Sequence, residues 1–475
     1  MKRWILTLML ITIASPALSL KVPYETWMGA YIGESKVGYL SFTITEAELD
    51  GVRGYRIESS IKNQLTVLGA ELTQLVSTVL FTDDKYEPLR EEFSMSSGGK
   101  TTTVSAKFTK DRVECVVSAG SGTTTKSIPI PQGANLVGDA MFAMLEPNPE
   151  VGREYDLHYF NPITLAVEDL KIKIERREKI AIRGKEYDTV VMRNVTPMGE
   201  MTLWQDSEGG VVKVDAIMGI SMIRESKEEA IAGLNGGGED FAVRTRVRTN
   251  KPIESPGTVK ILDLLLTGLD DPKMAIVDSR QKTRPLTKPD GAIHFRITAD
   301  DSVPTRPLNR PVRKPELAAY LATTPYVDHE EASIKARADQ IVGSEKNSYA
   351  ACSRIRSWLH SNMQVKADIG ITRSASDVLK SRVGVCRDYA ILFAALARAA
   401  GIPAKVVSGL VYLNDGFYYH AWVECYVGKW VPFDATRSTD FVDATHIKLA
   451  EGDATSMFAL AKVIGSLKAE IRGTK

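Results

Sequence analysis

The chain has 475 residues, 60 Lys and Arg against 59 Asp and Glu, a formal charge of +1, and 44% hydrophobic residues. That length and apolar content call for two or three domains, and the balanced charge removes the electrostatic case for a nucleic-acid partner. Four cysteines, Cys115, Cys352, Cys386 and Cys425, are too few to staple a chain of this size as a disulfide scaffold.

The N-terminus carries Lys2 and Arg3, an apolar stretch from Trp4 to Ala14, and then Pro16-Ala17-Leu18-Ser19. This order of charged, apolar and small residues predicts a secretory signal peptide over 1–19, cleaved after Ser19, and hence a periplasmic or extracellular protein. Loss of Lys2 and Arg3 would turn the formal charge to −1. No later stretch approaches the roughly 18 uncharged apolar residues of a membrane span. The run Ile261 to Leu266 is short and is interrupted by Asp263, so the expectation is a soluble chain with no transmembrane segment.

Residues 20–230 alternate apolar and polar side chains repeatedly, as in Val37 to Ile44, Val104 to Phe108, Thr189 to Arg193 and Val211 to Asp215. With turn residues between the runs, this predicts a large antiparallel β domain. One interruption, Asn135 to Leu145, reads as a short helix, and Gly233 to Gly238 as a flexible loop. Residues 251–303 read as a small β module, 304–325 as an extended Pro-bearing linker, 326–455 as an α+β domain, and 456–475 as a C-terminal tail. The β-rich region carries no chemical motif, so its partner or role is open.

The chemistry gathers in the α+β domain. Two segments with helical apolar spacing, Ala336 to Val342 and Ala350 to Leu359, precede a short capped turn or helix beginning at Ser374. Gly384 then permits a close backbone approach, and Cys386 opens an apolar helix from Tyr389 to Ala397 that stops at Gly401-Ile402-Pro403. A thiol in the first turn of a helix lies at the positive end of the dipole, beside N–H groups that favour a thiolate and can receive an oxyanion. Asp388 reads as a helix-start charge.

After Pro403 the β-branched run Ala404 to Leu413 and the turn Asn414-Asp415-Gly416 predict a strand and a hairpin. The next strand, Phe417 to Val427, places His420, Trp422, Glu424 and Tyr426 on one face and Ala421, Val423, Cys425 and Val427 on the other. A two-residue loop at Gly428-Lys429 would set Asp434 opposite Val423 and away from His420. A three-residue or bulged connection sets it opposite Trp422, on the face of His420, and this is the expected register. Trp422 and Tyr426 read as packing, and Cys352 and Cys425 as buried apolar residues, with a bridge between them open. His158, His294, His329, His360 and His446 show no metal-ligand spacing, no calcium loop is present, and no cofactor is expected.

Taken singly, a Cys in a helix, a His on a strand and an Asp at a strand end are ordinary structural residues. Four segments together say more: Gly384-Val385-Cys386-Arg387-Asp388-Tyr389-Ala390, Arg398 to Ala404, His420-Ala421-Trp422-Val423-Glu424, and Trp430-Val431-Pro432-Phe433-Asp434-Ala435-Thr436. They resemble the transglutaminase-like superfamily, whose fold is shared with papain-like cysteine peptidases, over roughly Val327 to Ala454. The resemblance implies a Cys-bearing helix packed on an antiparallel sheet, with Cys386 as nucleophile, His420 as general base and acid, and Asp434 as the orienting carboxylate. It also implies thiol-mediated acyl transfer on a protein or peptide amide, as a peptidase, an amidase or a crosslinking transglutaminase. The alternative is an inactive fold serving as a binding or scaffold module. The family usually has Asp-Pro-Thr at the third position of the triad, and here Ala435 replaces the Pro.

Overall fold

The structure, a computed structural model, describes residues 21–475 apart from 68, 120–121, 142–146, 235–239, 270, 287–290, 301–302, 367–371 and 440. The leader expected over 1–19 and most of the loop expected over 233–238 lie outside the described residues. Among the described residues no helix is long and apolar enough to cross a membrane.

From Tyr24 to Glu225 the chain forms one 15-stranded sheet. The strands run as a meander, and the last, Ile220–Glu225, returns to pair antiparallel with the first, Tyr24–Ile32. Alternation is visible in Ser35–Leu49, where Leu40, Phe42 and Ile44 are buried while Tyr39, Ser41 and Thr43 are half-buried. Asp50-Gly51, both at positive φ, closes the following hairpin with the two-residue turn that suits the strand twist. The sheet curls on itself, so that Phe160 and Leu165 share a core with Phe93, Val104, Ala106 and Val113 from the opposite half. The helix expected at 135–145 is not formed where it is described. Leu136–Val137 instead pairs in parallel with Glu154–Asn161, an exposed strand edge outweighing a weak local preference, and residues 142–145 lie outside the described residues.

The C-terminal unit contains α1 (Ala332–Val342), α2 (Ser348–Asn362), α3 (Ala375–Ser381) and α4 (Cys386–Ala399). These cover an antiparallel sheet of β1 (Ala404–Leu413), β2 (Gly416–Tyr426), β3 (Trp430–Phe433) and β4 (Ile447–Gly452), in the order β3-β2-β1-β4. α4 is buried from Asp388 to Arg398, and its apolar residues share one core with Ala421, Val423 and Cys425 of β2. Burial on this scale, about 1.5–3 kcal/mol for each large apolar side chain, holds the Cys-bearing helix against the His-bearing strand.

The segment expected as an extended linker over 304–325 is docked. Leu308 N–H donates to the Val427 carbonyl at 2.9 Å, Val312 N–H to Gly401 at 2.8 Å, and Arg310 reaches the carbonyls of Gly343 and Glu345, both at 2.6 Å. Val312 and Leu317 are buried under it, which gives the Pro-rich strap an apolar anchor that composition alone did not reveal.

The C-terminal residues likewise form no tail. Lys468–Thr474 pairs antiparallel with Ile261–Thr267 and completes a four-stranded sheet with Ile293–Thr298 and Gln281–Pro285, so the small β module needs residues from both ends of the α+β segment. Its core continues into the C-terminal unit through Leu410, Tyr412, Phe417, Ile447 and Leu449. Truncation after Leu467 removes the buried Ala469 and Ile471 and bares one edge of Ile261–Thr267. A loss of about 2–3 kcal/mol, read as a fall of about 5 °C or more in the thermal midpoint, is expected, whereas a tail would leave the midpoint in place.

Candidate active site

Cys386 occupies the first position of α4, after Val385 in extended conformation. Its approach is set by Asp388, which is fully buried and accepts the Val385 N–H at 2.9 Å. Arg373, 3% exposed, stands 3.3 Å from the same carboxylate and donates to the Val383 carbonyl at 2.6 Å and to Ser381 at 2.9 Å. Gly384 fits against Asp388 because it has no side chain: a Cβ there would lie 2.5 Å from that of Asp388. Asp388 is therefore the helix-start charge expected from the sequence, and Arg373, which no motif marked, is its buried counter-ion.

β2 brings His420 to the sulfur. The loop Val427 to Lys429 has three residues, with Tyr426 opposite Trp430 and Val423 opposite Phe433. Asp434 thus leaves β3 level with Trp422, the register expected for a bulged connection. Its Oδ2 is 2.8 Å from His420 Nε2, while its Oδ1 accepts the Thr436 N–H at 2.8 Å and the Thr436 hydroxyl at 2.7 Å. His360 of α2 meets the Ala435 carbonyl at 3.2 Å and so helps to fix the turn after Asp434. Trp422, 1% exposed, lies nearly parallel to His420 with ring centroids 6.3 Å apart. It packs behind the site, as expected.

The electrostatics are those of an ion pair. Burial pushes the Cys386 thiol up, but hydrogen bonding from His420, its charge, and the Ala421 N–H outweigh this and bring the thiol below its ordinary value. Burial opposes charge on His420, yet Asp434 and Cys386 beside it raise the imidazole to about 10. Burial would also raise Asp434, but His420 and His446 hold it well below the usual carboxylate range. The shifts run in the directions that favour a thiolate, an imidazolium and a carboxylate in series. Cys386 is half-buried, whereas Cys115, Cys352 and Cys425 are buried free thiols, so a small alkylating reagent addresses Cys386. Cys352 and Cys425 are buried free thiols, not bridged to each other.

One site residue escaped the sequence reading. His446, set apart there for want of ligand spacing, is 1% exposed with Nε2 3.3 Å from Asp434 Oδ2. The donor atoms of His420, Asp434 and His446 all lie within 4.8 Å of one another, a set of side chains able in kind to hold a metal ion. Their contacts are hydrogen-bond lengths, however. A metal at about 2.0–2.2 Å would have to displace the protons between both rings and Asp434. Hydrogen bonding accounts for the trio as it stands.

Residues 335–435 match the family model of the transglutaminase-like superfamily, and residues 27–221 match a family of proteins of unknown function, DUF3108. The C-terminal unit therefore contains a transglutaminase-like domain. An uncharacterised protein of Mycobacterium leprae is 27% identical over 95 residues, covering 18% of this chain and 34% of that protein. One of Haemophilus influenzae is 32% identical over 100 residues, covering 20% and 27%. The chain thus spans about a third or less of the length of these curated relatives. A solved structure titled as a candidate cysteine protease from Cytophaga hutchinsonii is 20% identical, covering 46% of this chain and 86% of that one, at a TM-score of 0.30. A β-barrel-like protein with the domain of unknown function DUF1849, from Brucella abortus, is 10% identical, covering 43% and 94%, at 0.30. Of these, the family match over 335–435 bears on the site.

Gly384→Ala forces the new methyl against Asp388 and shifts the start of α4. A destabilisation of about 1–3 kcal/mol in urea, with slower Cys386 alkylation, is expected.

Proposed function

We propose that the chain is an exported, thiol-dependent enzyme performing acyl transfer on amide bonds of a protein or peptide, with Cys386, His420 and Asp434 as its catalytic residues. The observation that carries this reading is the series of contacts from the helix-start sulfur to His420 and from His420 Nε2 to Asp434 at 2.8 Å. The match of 335–435 to the transglutaminase-like superfamily supports it. Export rests on the charged, apolar and small-residue order of 1–19.

In this mechanism the Cys386 thiolate attacks the amide carbonyl carbon, and the negative charge on the carbonyl oxygen is met by the N–H groups of Cys386 and Arg387 at the start of α4, the Asp388 N–H being taken by the Val385 carbonyl at 2.9 Å. His420 Nε2 faces Asp434, which leaves Nδ1 for the sulfur and the leaving group. As the carbon–nitrogen bond breaks, the imidazolium gives its proton to the departing amine, and a thioester remains on Cys386. Water or a second amine then gives a proton to neutral His420 and attacks the thioester. The carbon–sulfur bond breaks, releasing an acid or a new amide and restoring the thiolate and imidazolium. Hydrolysis and crosslinking share every step before the acceptor arrives, so acceptor access to the thioester determines the product. Asp434 keeps His420 in the productive tautomer and stabilises its charged form.

The test is the pH dependence of Cys386 alkylation. A thiol held below its ordinary value extends the reactive ion pair to lower pH, and a His420 raised to about 10 sets its upper limit near pH 10. Wild type is expected to react readily at pH 6.5, where an ordinary thiol of pKa about 8.5 is only about 1% ionised. His420→Ala leaves the burial and removes the donor, so alkylation at pH 6.5 should fall by about tenfold or more. Wild-type alkylation with the profile of an ordinary thiol, unchanged by His420→Ala or Asp434→Ala, would overturn the reading in favour of a binding or scaffold module.

A further inference from the structure

Beyond the three residues of the proposed reaction, the C-terminal unit carries a groove rich in cations. A pocket of about 730 Å³ lies between α1 and α3, where Arg337, Lys380 and Arg382 face the single carboxylate of Glu331. A second pocket of about 480 Å³ shares Lys380 and Ser381 with the first. It adds Asp377 and, from the large sheet, Lys100 beside the Gly98-Gly99 turn. The two form one groove that runs from α1 over the end of α3 to the large sheet. Four cations line it against two carboxylates, and one of these, Asp377, is buried and accepts the Ser374 hydroxyl at 3.3 Å. The whole chain has a formal charge of +1, so the surplus of positive charge is local.

Two of the cations are held in place. The guanidinium carbon of Arg337 lies over the Trp358 ring, 5.1 Å from its centroid, and that of Arg382 lies 5.8 Å from the same centroid. Arg382 is fixed through its backbone as well. It ends α3 in the left-handed region, at φ 54°, and its carbonyl accepts the Gln364 N–H at 2.9 Å. Among the described residues none of Arg337, Lys380, Arg382 and Lys100 has an acidic partner, and the buried Nε of Arg337 makes no hydrogen bond. A solvated surface lysine needs no such frame. A guanidinium stacked on an indole keeps its N–H edge free, and an edge already positioned loses little freedom when it meets a carboxylate.

We propose that this groove receives an acidic stretch of the peptide or protein whose amide is brought to Cys386, and that Arg337 and Arg382 select it. Position ties the groove to the reaction. Arg382 runs into the extended pair Val383–Gly384, which is held against Gln364–Val365, and Cys386 is the fourth residue after Arg382. Four residues span at most about 14 Å, so the near end of the groove is about four residues of extended peptide from the nucleophile. Carboxylates are the anions that an unmodified peptide supplies, and this favours them over sulfate or phosphate as the ligand. Lys100 brings the large sheet into the same recognition, a role that no motif in its sequence marked.

The proposal rests on the acyl-transfer reading for what happens at the sulfur, and its first test needs no turnover. By fluorescence anisotropy, labelled hexaglutamate is expected to bind the full-length protein about tenfold tighter than labelled hexaglutamine. Its binding should weaken severalfold between about 50 and 300 mM NaCl, as salt screens the cations. It should also weaken about tenfold in the double variant Arg337→Gln/Arg382→Gln, and severalfold in Lys380→Gln, whose exposed side chain carries no fold. Equal binding of the two peptides, or hexaglutamate binding unchanged in both variants, overturns the proposal. A groove that binds labelled dextran sulfate but not hexaglutamate serves another anion and overturns it too. The second test places the ligand relative to Cys386. N-chloroacetyl-hexaglutamate, from which the thiolate displaces chloride to form a thioether, should label Cys386 about tenfold faster than N-chloroacetyl-hexaglutamine. Each rate is taken relative to chloroacetamide on the same protein, and the advantage should vanish in the double variant. Equal relative rates for the two peptides in wild type overturn the link to Cys386. Should Cys386 prove inert even to chloroacetamide, the enzyme reading fails, and the anisotropy still decides whether the groove takes an acidic peptide.

Discussion

Asp434 is an ionised carboxylate almost wholly withdrawn from water, and such a group is tolerable only where its lone pairs are filled and its charge is met. Both conditions hold. Thr436 fills one oxygen through its backbone and its hydroxyl, and the two imidazoles share the other. The site follows from that requirement. The three-residue loop between β2 and β3 delivers the carboxylate to the His420 face, the turn before β4 delivers His446, and Trp422 closes the space between the rings. A carboxylate in open water would need none of these neighbours and would impose little order on His420.

The same logic of buried charge joins the small β module to the sheet. Lys448, 2% exposed, meets Glu424 at 2.6 Å, Asp278 at 2.6 Å and Glu451 at 2.9 Å, while Lys405 meets Glu424 at 3.2 Å and Glu451 at 2.7 Å. Gln281 caps the Lys448 backbone on both sides, accepting its N–H at 2.9 Å and donating to its carbonyl at 2.8 Å. Such networks add little net stability over apolar packing, but breaking one partner strands a charge, so they enforce one arrangement of the parts. Asp278, Arg280 and Gln281 come from the small module, and through Arg280 that module also fixes the turn carrying Asp443 and His446. The module is thus a support for the site and not an appendage beside it.

The large N-terminal sheet meets the C-terminal unit close to the Cys386 approach. The Tyr326 hydroxyl donates to the Ile163 carbonyl at 3.4 Å, and the Tyr326 carbonyl accepts the Ala375 N–H at 2.8 Å, at the start of α3. From α3 the chain continues to Arg373's partners Ser381 and Val383 and then to Cys386. A strand turn of the large sheet therefore abuts the segment that sets the position of Cys386.

What was legible in the sequence was local or short in range. Strand alternation marked the large sheet, the apolar run after Cys386 marked α4, Asn414-Asp415-Gly416 marked the β1–β2 hairpin, and the spacing from His420 to Asp434 left two registers of which the bulged one occurs. Each depends on residues a few positions apart, where dihedral preference and period decide the outcome. The four quoted segments identified the transglutaminase-like domain because their residue types recur together. Only the tertiary structure could decide the rest. His446 and Asp443 sit in a turn with no periodic pattern, Arg373 lies 15 positions before its buried partner Asp388, Arg280 reaches across 163 positions, and Lys468–Thr474 finds its sheet partner some two hundred residues upstream. Their roles come from burial and pairing across the fold, and a group's need for a partner becomes visible only when the chain has removed its water.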